Sequence, residues 1–140
     1  MRAFPLLLLA LILYNVIAFG GALGGQTDTA ALLKHSFDAH LPSGVIWTIS
    51  YGDLFVFFGL SLLFVEMVKA TYTGRSEILN HAFSTLAFIV ALVEFLLLKD
   101  FATSPFGLLT AMCLFDVVAG YTISIVSARR DMMMPEQHDE

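Results

Sequence analysis

Charged residues are scarce in this chain. Asp, Glu, Lys and Arg make up only 14% of its 140 residues, whereas 58% are hydrophobic, and the mean hydropathy is +0.82. A soluble domain draws about a quarter of its residues from the charged types to keep its surface hydrated. The composition therefore excludes an ordinary soluble domain and indicates that most of the surface faces lipid.

Cysteine pairs and catalytic motifs are also missing from the sequence. Cys113 is the single cysteine, which excludes an intrachain disulfide and any CxxC redox or zinc motif. The sequence has no P-loop, GxSxG, HExxH or GxGxxG motif. It also has no basic block, so we expect no nucleic-acid partner. We therefore expect neither enzymatic activity nor a cofactor nor a bound metal.

Four apolar stretches are each long enough to cross a bilayer, which takes roughly 20 helical residues. We predict an all-α integral membrane protein, a four-transmembrane-helix bundle that forms one domain over residues 1–131. An acidic tail at 132–140 is expected to be cytoplasmic and disordered. The predicted spans are residues 4–23, 47–70, 77–98 and 105–128.

The longest connection, residues 24–44, contains the segment TDTAALLKHSFDAHLP. Capping residues at its start are followed by Leu33, Phe37 and Leu41 at four-residue spacing, and the segment ends at Pro42. This spacing predicts a short amphipathic helix on the outer membrane surface, between the first two spans.

Lysine and arginine are distributed unequally over the two predicted membrane faces. With the N-terminus inside, the inner flanks hold Arg2, Lys69, Arg75, Arg129 and Arg130, whereas the outer flanks hold Lys34 and Lys99. The positive-inside rule then predicts that both termini are cytoplasmic, and a bacterial inner (plasma) membrane is the natural host.

Polar residues inside the predicted spans are the candidate functional residues. Counting along each span at about 1.5 Å per residue places them in three layers. Because a charged carboxylate at the midplane is costly, we expect Asp116 to face the bundle interior and to stay neutral. The outer layer holds Asp53 and Glu94, with Lys99 above them; the middle layer holds Asn15, Ser61 and Asp116; the inner layer holds Glu66, His81 and Tyr121.

These layers support two hypotheses. In the first, the polar residues are interhelical hydrogen-bonding groups in a non-catalytic accessory or assembly subunit of a larger membrane complex, or in a homo-oligomeric scaffold. In the alternative, the intramembrane carboxylates serve a small proton-coupled transporter or ion conductance. Pairs of small residues four apart, Gly20 with Gly24 and Gly107 with Ala111, are candidate helix-packing positions for either. The expected partners are the lipid bilayer and either another membrane protein or further copies of the chain.

Overall fold

The protein folds mainly as α-helices that pack lengthwise against one another. The computed structural model describes residues 4–23, 28–70 and 77–133. In chain order the elements are α1 (Leu7–Leu23), α2 (Thr29–Lys34), β1 (Ser36–His40), β2 (Ile46–Ser50), α3 (Tyr51–Ala70), α4 (Glu77–Leu97), a 3₁₀ helix (Lys99–Phe101) and α5 (Ser104–Met133).

Three of these helices contain a segment that is long and apolar enough to cross a membrane: Tyr51–Ala70, Asn80–Leu97 and Ser104–Val126. Helix α1 is also apolar but shorter, since its 17 residues measure about 25 Å. The mainly helical character and three of the apolar spans that the sequence predicts are thereby confirmed. Only 22–33% of each of these three segments is buried inside the protein. Most of the surface of these segments is therefore exposed and apolar.

Helix α5 lies at the centre of the bundle, with α3 and α4 packed along it. Glycines allow these helices to approach closely. A Cβ atom at Gly59 of α3 would lie 3.3 Å from Met112 Sδ of α5, and one at Gly107 of α5 would lie 3.1 Å from Phe95 Cε2 of α4. Thr103 caps the start of α5, since its Oγ1 accepts a hydrogen bond from the backbone N–H of Phe106 at 3.4 Å.

Helix α1 is held by an aromatic cluster against the end of the bundle where α3 and α5 begin. Tyr14, which is fully buried, lies 4.5–5.4 Å from the rings of Phe55, Phe101 and Phe106. Its hydroxyl lies 2.6 Å from Thr103 Oγ1 and donates a hydrogen bond to the backbone carbonyl of Asp100 at 3.3 Å. The phenol thus has a buried ring and a hydrogen-bonded tip, as buried tyrosines require.

The predicted amphipathic helix between the first two spans is wrong in its extent. Helix α2 ends at Lys34, and the following residues form an antiparallel hairpin in which β1 pairs with β2. Pro42 lies in the hairpin turn, and Gly44 adopts a φ of 82° that favours glycine. The four-residue spacing of the apolar residues also fits alternation along a strand beyond residue 35, and pairing with the β-branched residues of β2 decides in favour of the strand.

The same hairpin corrects the start of the second span. Residues 47–50 belong to β2, so the helix begins at Tyr51 rather than at residue 47. At the other end of the chain, α5 continues through Met132 and Met133, two residues into the predicted tail. The rest of that tail, residues 134–140, lies outside the described residues.

Candidate functional site

A cluster of buried polar side chains lies between α3, α4 and α5, towards the end of α3 that carries Lys69. Glu66, His81, Ser84 and Asp116 are between 3% and 7% exposed, and we call these four residues the polar cluster. They come from three helices. The predicted inner layer contains Glu66 and His81, whereas Asp116 is predicted in the middle layer and Ser84 in none. Burial of such groups is costly unless they are hydrogen-bonded, so the partners of each decide what the cluster can do.

Glu66 caps the N-terminus of α1. Its Oε2 accepts hydrogen bonds from Leu6 N at 2.7 Å and from Leu7 N at 3.3 Å. The first N–H groups of a helix have no partner within the helix, and the helix dipole favours a negative group there. The Asn80 side chain also faces this carboxyl. The other oxygen, Oε1, is buried and accepts no hydrogen bond of ordinary length and angle from the described residues, so Glu66 joins α3 to α1 and keeps acceptor capacity.

His81 joins α4 to α5. Its Nε2 lies 2.7 Å from Ser124 Oγ, and its ring lies 5.5 Å from the ring of Tyr121. A Cβ at Gly120 would lie 2.6 Å from His81 Cε1, so glycine is the residue that leaves room for the imidazole. Tyr121 itself is 48% exposed and forms the rim of the cluster rather than its interior.

Asp116 occupies the middle of the polar cluster. Its carboxyl lies within electrostatic range of the carboxyl of Glu66, the imidazole of His81 and the ammonium of Lys69. The Ser84 hydroxyl faces the same carboxyl, although its oxygen makes no hydrogen bond of ordinary length and angle with the described residues. Two acids and one histidine thus share one buried site.

Asn15 and Glu94 form a second polar contact, between α1 and α4. Asn15 Nδ2 donates to Glu94 Oε2 at 3.1 Å and to Leu11 O at 3.0 Å, and both polar residues are half-buried. Counting along the sequence places Asn15 with Asp116 and Glu94 with Asp53, and the structure brings together neither pair. Helix α1 begins beside Glu66 and its Asn15 reaches Glu94, whereas Asp53 is engaged by Ser50 in the first turn of α3.

Two further residues of the predicted layers lie outside these contacts. Asp53 is exposed in the first turn of α3, where its Oδ2 accepts hydrogen bonds from Ser50 N at 3.0 Å and Ser50 Oγ at 2.7 Å. Ser50 Oγ accepts in turn from Asp53 N at 3.1 Å, which makes a reciprocal helix cap. Ser61 is exposed and donates to Phe57 O of its own helix. Both side chains therefore satisfy local backbone groups.

The predicted helix-packing positions have different surroundings. Gly107 packs against Phe95, whereas no atom lies within 4 Å of a Cβ built on Gly20. Ala111 is half-buried, and Gly24 lies outside the described residues. Only one of the two predicted pairs therefore contributes a close helix contact within the part of the chain that the structure describes.

The sequence reasoning misses the close contacts made by Gly52, Gly59 and Gly120. Gly59 lies four residues after the buried Phe55, and Gly120 lies four residues after Asp116. Residues four apart share one face of a helix, so a search for glycines at this spacing from buried or polar residues could have found both. The same spacing places Ser124 four residues after Gly120, on the face that meets His81.

A pocket of about 580 Å³ lies at the opposite end of the bundle from the polar cluster. It is bounded by α2, the hairpin and the starts of α3 and α5, and its two charged lining residues are Lys34 and Asp53. Ser36, Thr48 and Ser50 line the hairpin side. Among the described residues, no three His, Cys, Asp or Glu side chains come together as a metal site.

Comparison with known proteins gives no relative for this chain. We find no protein-family model, no curated protein and no solved structure that matches it. Its function must therefore be inferred from the side chains themselves.

Proposed function

We propose that this protein is a small four-span integral membrane protein that serves as a non-catalytic accessory or assembly subunit of a larger membrane complex, or as a homo-oligomeric scaffold. The observation that carries the proposal is the use of the buried polar groups as ties between helices. Glu66 joins α3 to α1, His81 joins α4 to α5, and Asn15 joins α1 to Glu94 of α4. Interhelical hydrogen bonds of this kind stabilise membrane bundles by about 0.6–2 kcal/mol each.

The large apolar exterior supports a membrane location and a role in association. Side chains such as Phe57, Phe64, Leu96 and Leu97 are 68–76% exposed on helices that are long enough to span a bilayer. Such surfaces on a chain with few polar loops suit contact with lipid and with other membrane helices.

The ends of the bundle support the proposed orientation. Lys34 and Lys99 lie at the end that carries α2, the hairpin and the 3₁₀ helix, whereas Lys69 and Arg129 lie at the other end. Arg2 and Arg75 lie outside the described residues and enter through the sequence counts alone. Together these positions favour a cytoplasmic location for the second end and for both termini. A bacterial inner membrane is the host in this proposal.

Extraction of the tagged protein into native lipid particles, followed by mass measurement of the intact particle, tests the proposed role. A stoichiometric larger partner or a defined homo-oligomer is expected. A particle that contains a single copy of the chain and no other protein, at native expression level, would refute it.

A second candidate function is a small proton-coupled transporter or conductance. One observation favours it: Glu66, His81 and Asp116 share one buried site, and Glu66 Oε1 keeps acceptor capacity. Intramembrane acids and histidines of this kind are the usual elements of proton relays. In this version the centre of the relay is the polar cluster, and Asn15 is not part of it.

Substitutions at Asp116 separate the two functions. Asp116→Asn keeps the shape and polar atoms of the side chain but cannot carry a proton, whereas Asp116→Leu also removes the polar atoms. A structural tie predicts that Asp116→Asn assembles normally and that Asp116→Leu weakens assembly. A relay predicts that Asp116→Asn assembles normally but loses proton-coupled flux.

A further inference from the structure

The β1–β2 hairpin has one apolar face and one polar face. Residues that pair across antiparallel strands share a side, and sides alternate along each strand. The register therefore places two pairs on one face, and a third pair extends it through the hydrogen bond from Leu41 N to Val45 O. The three pairs are Phe37 with Ile49, Ala39 with Trp47 and Leu41 with Val45. We call this surface the apolar hairpin face.

The opposite face is polar and is already in use. It carries the pairs Ser36 with Ser50, Asp38 with Thr48 and His40 with Ile46, of which Ile46 is apolar. Ser36, Thr48 and Ser50 line the pocket at this end of the bundle, so this face looks towards α2 and the start of α5. Asp38, the only carboxylate of the hairpin, accepts a hydrogen bond from Thr48 Oγ1 at 2.7 Å on this same side.

Most of the apolar hairpin face is exposed in the described part of the chain, and only Ala39 and Ile49 are half-buried. Phe37, Leu41, Val45 and Trp47 are 40–60% exposed. A two-stranded sheet is marginally stable in water and needs packing on its apolar side. Something outside the described chain is therefore required to cover it.

The position of the hairpin favours lipid as that cover. β2 runs directly into α3, and Tyr51 N continues the strand pairing by donating to His35 O at 2.8 Å. The 20 residues of α3 measure about 30 Å, which matches the hydrocarbon thickness of a bilayer. The hairpin therefore lies at headgroup level if α3 spans the membrane.

The surface also fits a bilayer interface chemically. The first turns of α3, which follow the hairpin directly, add apolar surface, since Tyr51, Leu54 and Phe58 are 40–49% exposed. Trp and Tyr favour the membrane–water boundary. We propose that the apolar hairpin face lies in the headgroup and upper acyl region of the outer leaflet and anchors this end of the bundle to lipid. The inference rests on the membrane placement proposed above.

Trp47 provides a direct test because it is the only tryptophan of the chain. The full-length protein is reconstituted into phosphatidylcholine vesicles, and its tryptophan emission is measured with lipids brominated high on their acyl chains and, separately, with aqueous acrylamide. We expect brominated lipid to remove most of the emission and acrylamide to remove little. The result should not change as the protein-to-lipid ratio is lowered.

A matched control moves the reporter to the other face. Trp47→Phe combined with His40→Trp places the single indole one position away along the hairpin, on the polar side. We expect acrylamide to quench this variant strongly and brominated lipid to quench it weakly. The wild-type measurement stands by itself if the variant does not fold.

Two outcomes would overturn the inference. Strong acrylamide quenching of Trp47 in vesicles would mean that the apolar hairpin face is in water. Protection of Trp47 from both quenchers would mean that protein, such as a second copy, covers it. Vesicle flotation is measured in parallel: a chain that floats but exposes Trp47 contradicts only the hairpin inference, whereas a chain that does not float contradicts the membrane placement.

Discussion

Gly120 and Gly20 are two helical glycines whose surroundings predict opposite effects of the same substitution. A Cβ at Gly120 would meet the imidazole of His81, with Cε1 at 2.6 Å, whereas a Cβ at Gly20 would meet no atom within 4 Å. Alanine at position 120 must therefore displace a buried ring, and alanine at position 20 enters open space. The two variants are identical in chemistry and differ only in packing.

The expected magnitudes follow from three contributions. Replacing a helical glycine by alanine favours the helix by about 1 kcal/mol. Inserting a methyl group into a packed site costs about 1–3 kcal/mol. Displacing His81 also breaks its hydrogen bond to Ser124, which is worth about 1 kcal/mol. We therefore expect Gly120→Ala to lower the free energy of unfolding by about 1–3 kcal/mol, and Gly20→Ala to raise it by up to about 1 kcal/mol.

Cys113 provides the assay. It is the only cysteine and is 2% exposed, so a thiol reagent labels it when the bundle opens. When opening and closing are fast relative to labelling, the labelling rate follows the open population. Gly120→Ala should label about 5- to 150-fold faster than the wild type, since each ~1.4 kcal/mol is a factor of ten. Gly20→Ala should label at the wild-type rate or up to about 5-fold more slowly.

Equal labelling rates for Gly120→Ala and the wild type would refute the packing of His81 against α5. Faster labelling of Gly20→Ala would show that this glycine is needed for a close contact after all. The two results are independent, because the glycines lie on different helices.

Three further predictions use the same thiol assay. Glu66→Leu should destabilise the fold more than Glu66→Gln, because leucine leaves the backbone N–H groups at the start of α1 without their acceptor. Each buried N–H group that loses its acceptor costs about 1–3 kcal/mol of stability. Equal effects of the two substitutions would contradict the cap. A double-mutant cycle of Asn15→Leu and Glu94→Leu should give a coupling of about 0.6 kcal/mol, the average for interhelical hydrogen bonds in membranes, and zero coupling would exclude the contact. Ser50→Ala should cost about 0.5–2 kcal/mol through loss of the α3 cap shared with Asp53, and no change would show that the cap is dispensable.

The existence of the long apolar helices can be predicted from the sequence because it depends on composition and run length. Their ends are less predictable: the second span begins four residues late, at Tyr51, and the last one runs on to Met133. A run of apolar residues of sufficient length requires a helix in lipid, since every backbone polar group must be satisfied internally. The predicted span at 77–98 differs by one residue from α4, which ends at Leu97. The hairpin is not predictable in this way, because residues 28–41 carry both helical and alternating spacing, and only the pairing of β1 with β2 selects one of them.

The polar contacts can be predicted only in part. Counting along the chain places Glu66 and His81 in one layer because both lie near the same end of their helices, and the structure has both in the polar cluster. The same counting places Asp116 in the middle layer with Asn15, since it assumes that all spans start in one plane. The structure shows α1 starting beside Glu66 and Asn15 reaching Glu94. Such offsets arise from side-chain packing between helices, which residue counts do not contain.

Proton flux through the purified protein tests most directly the central claim, that the buried polar residues serve as structural ties between helices and not as a proton pathway. The protein is reconstituted into vesicles that enclose a pH-sensitive dye, and a pH gradient is imposed across the membrane. Structural ties predict that the internal pH changes no faster than in protein-free vesicles, for the wild type and for Asp116→Asn alike. A faster change with the wild type that Asp116→Asn abolishes, while Cys113 remains equally protected in both, would contradict the claim and establish the polar cluster as a proton pathway.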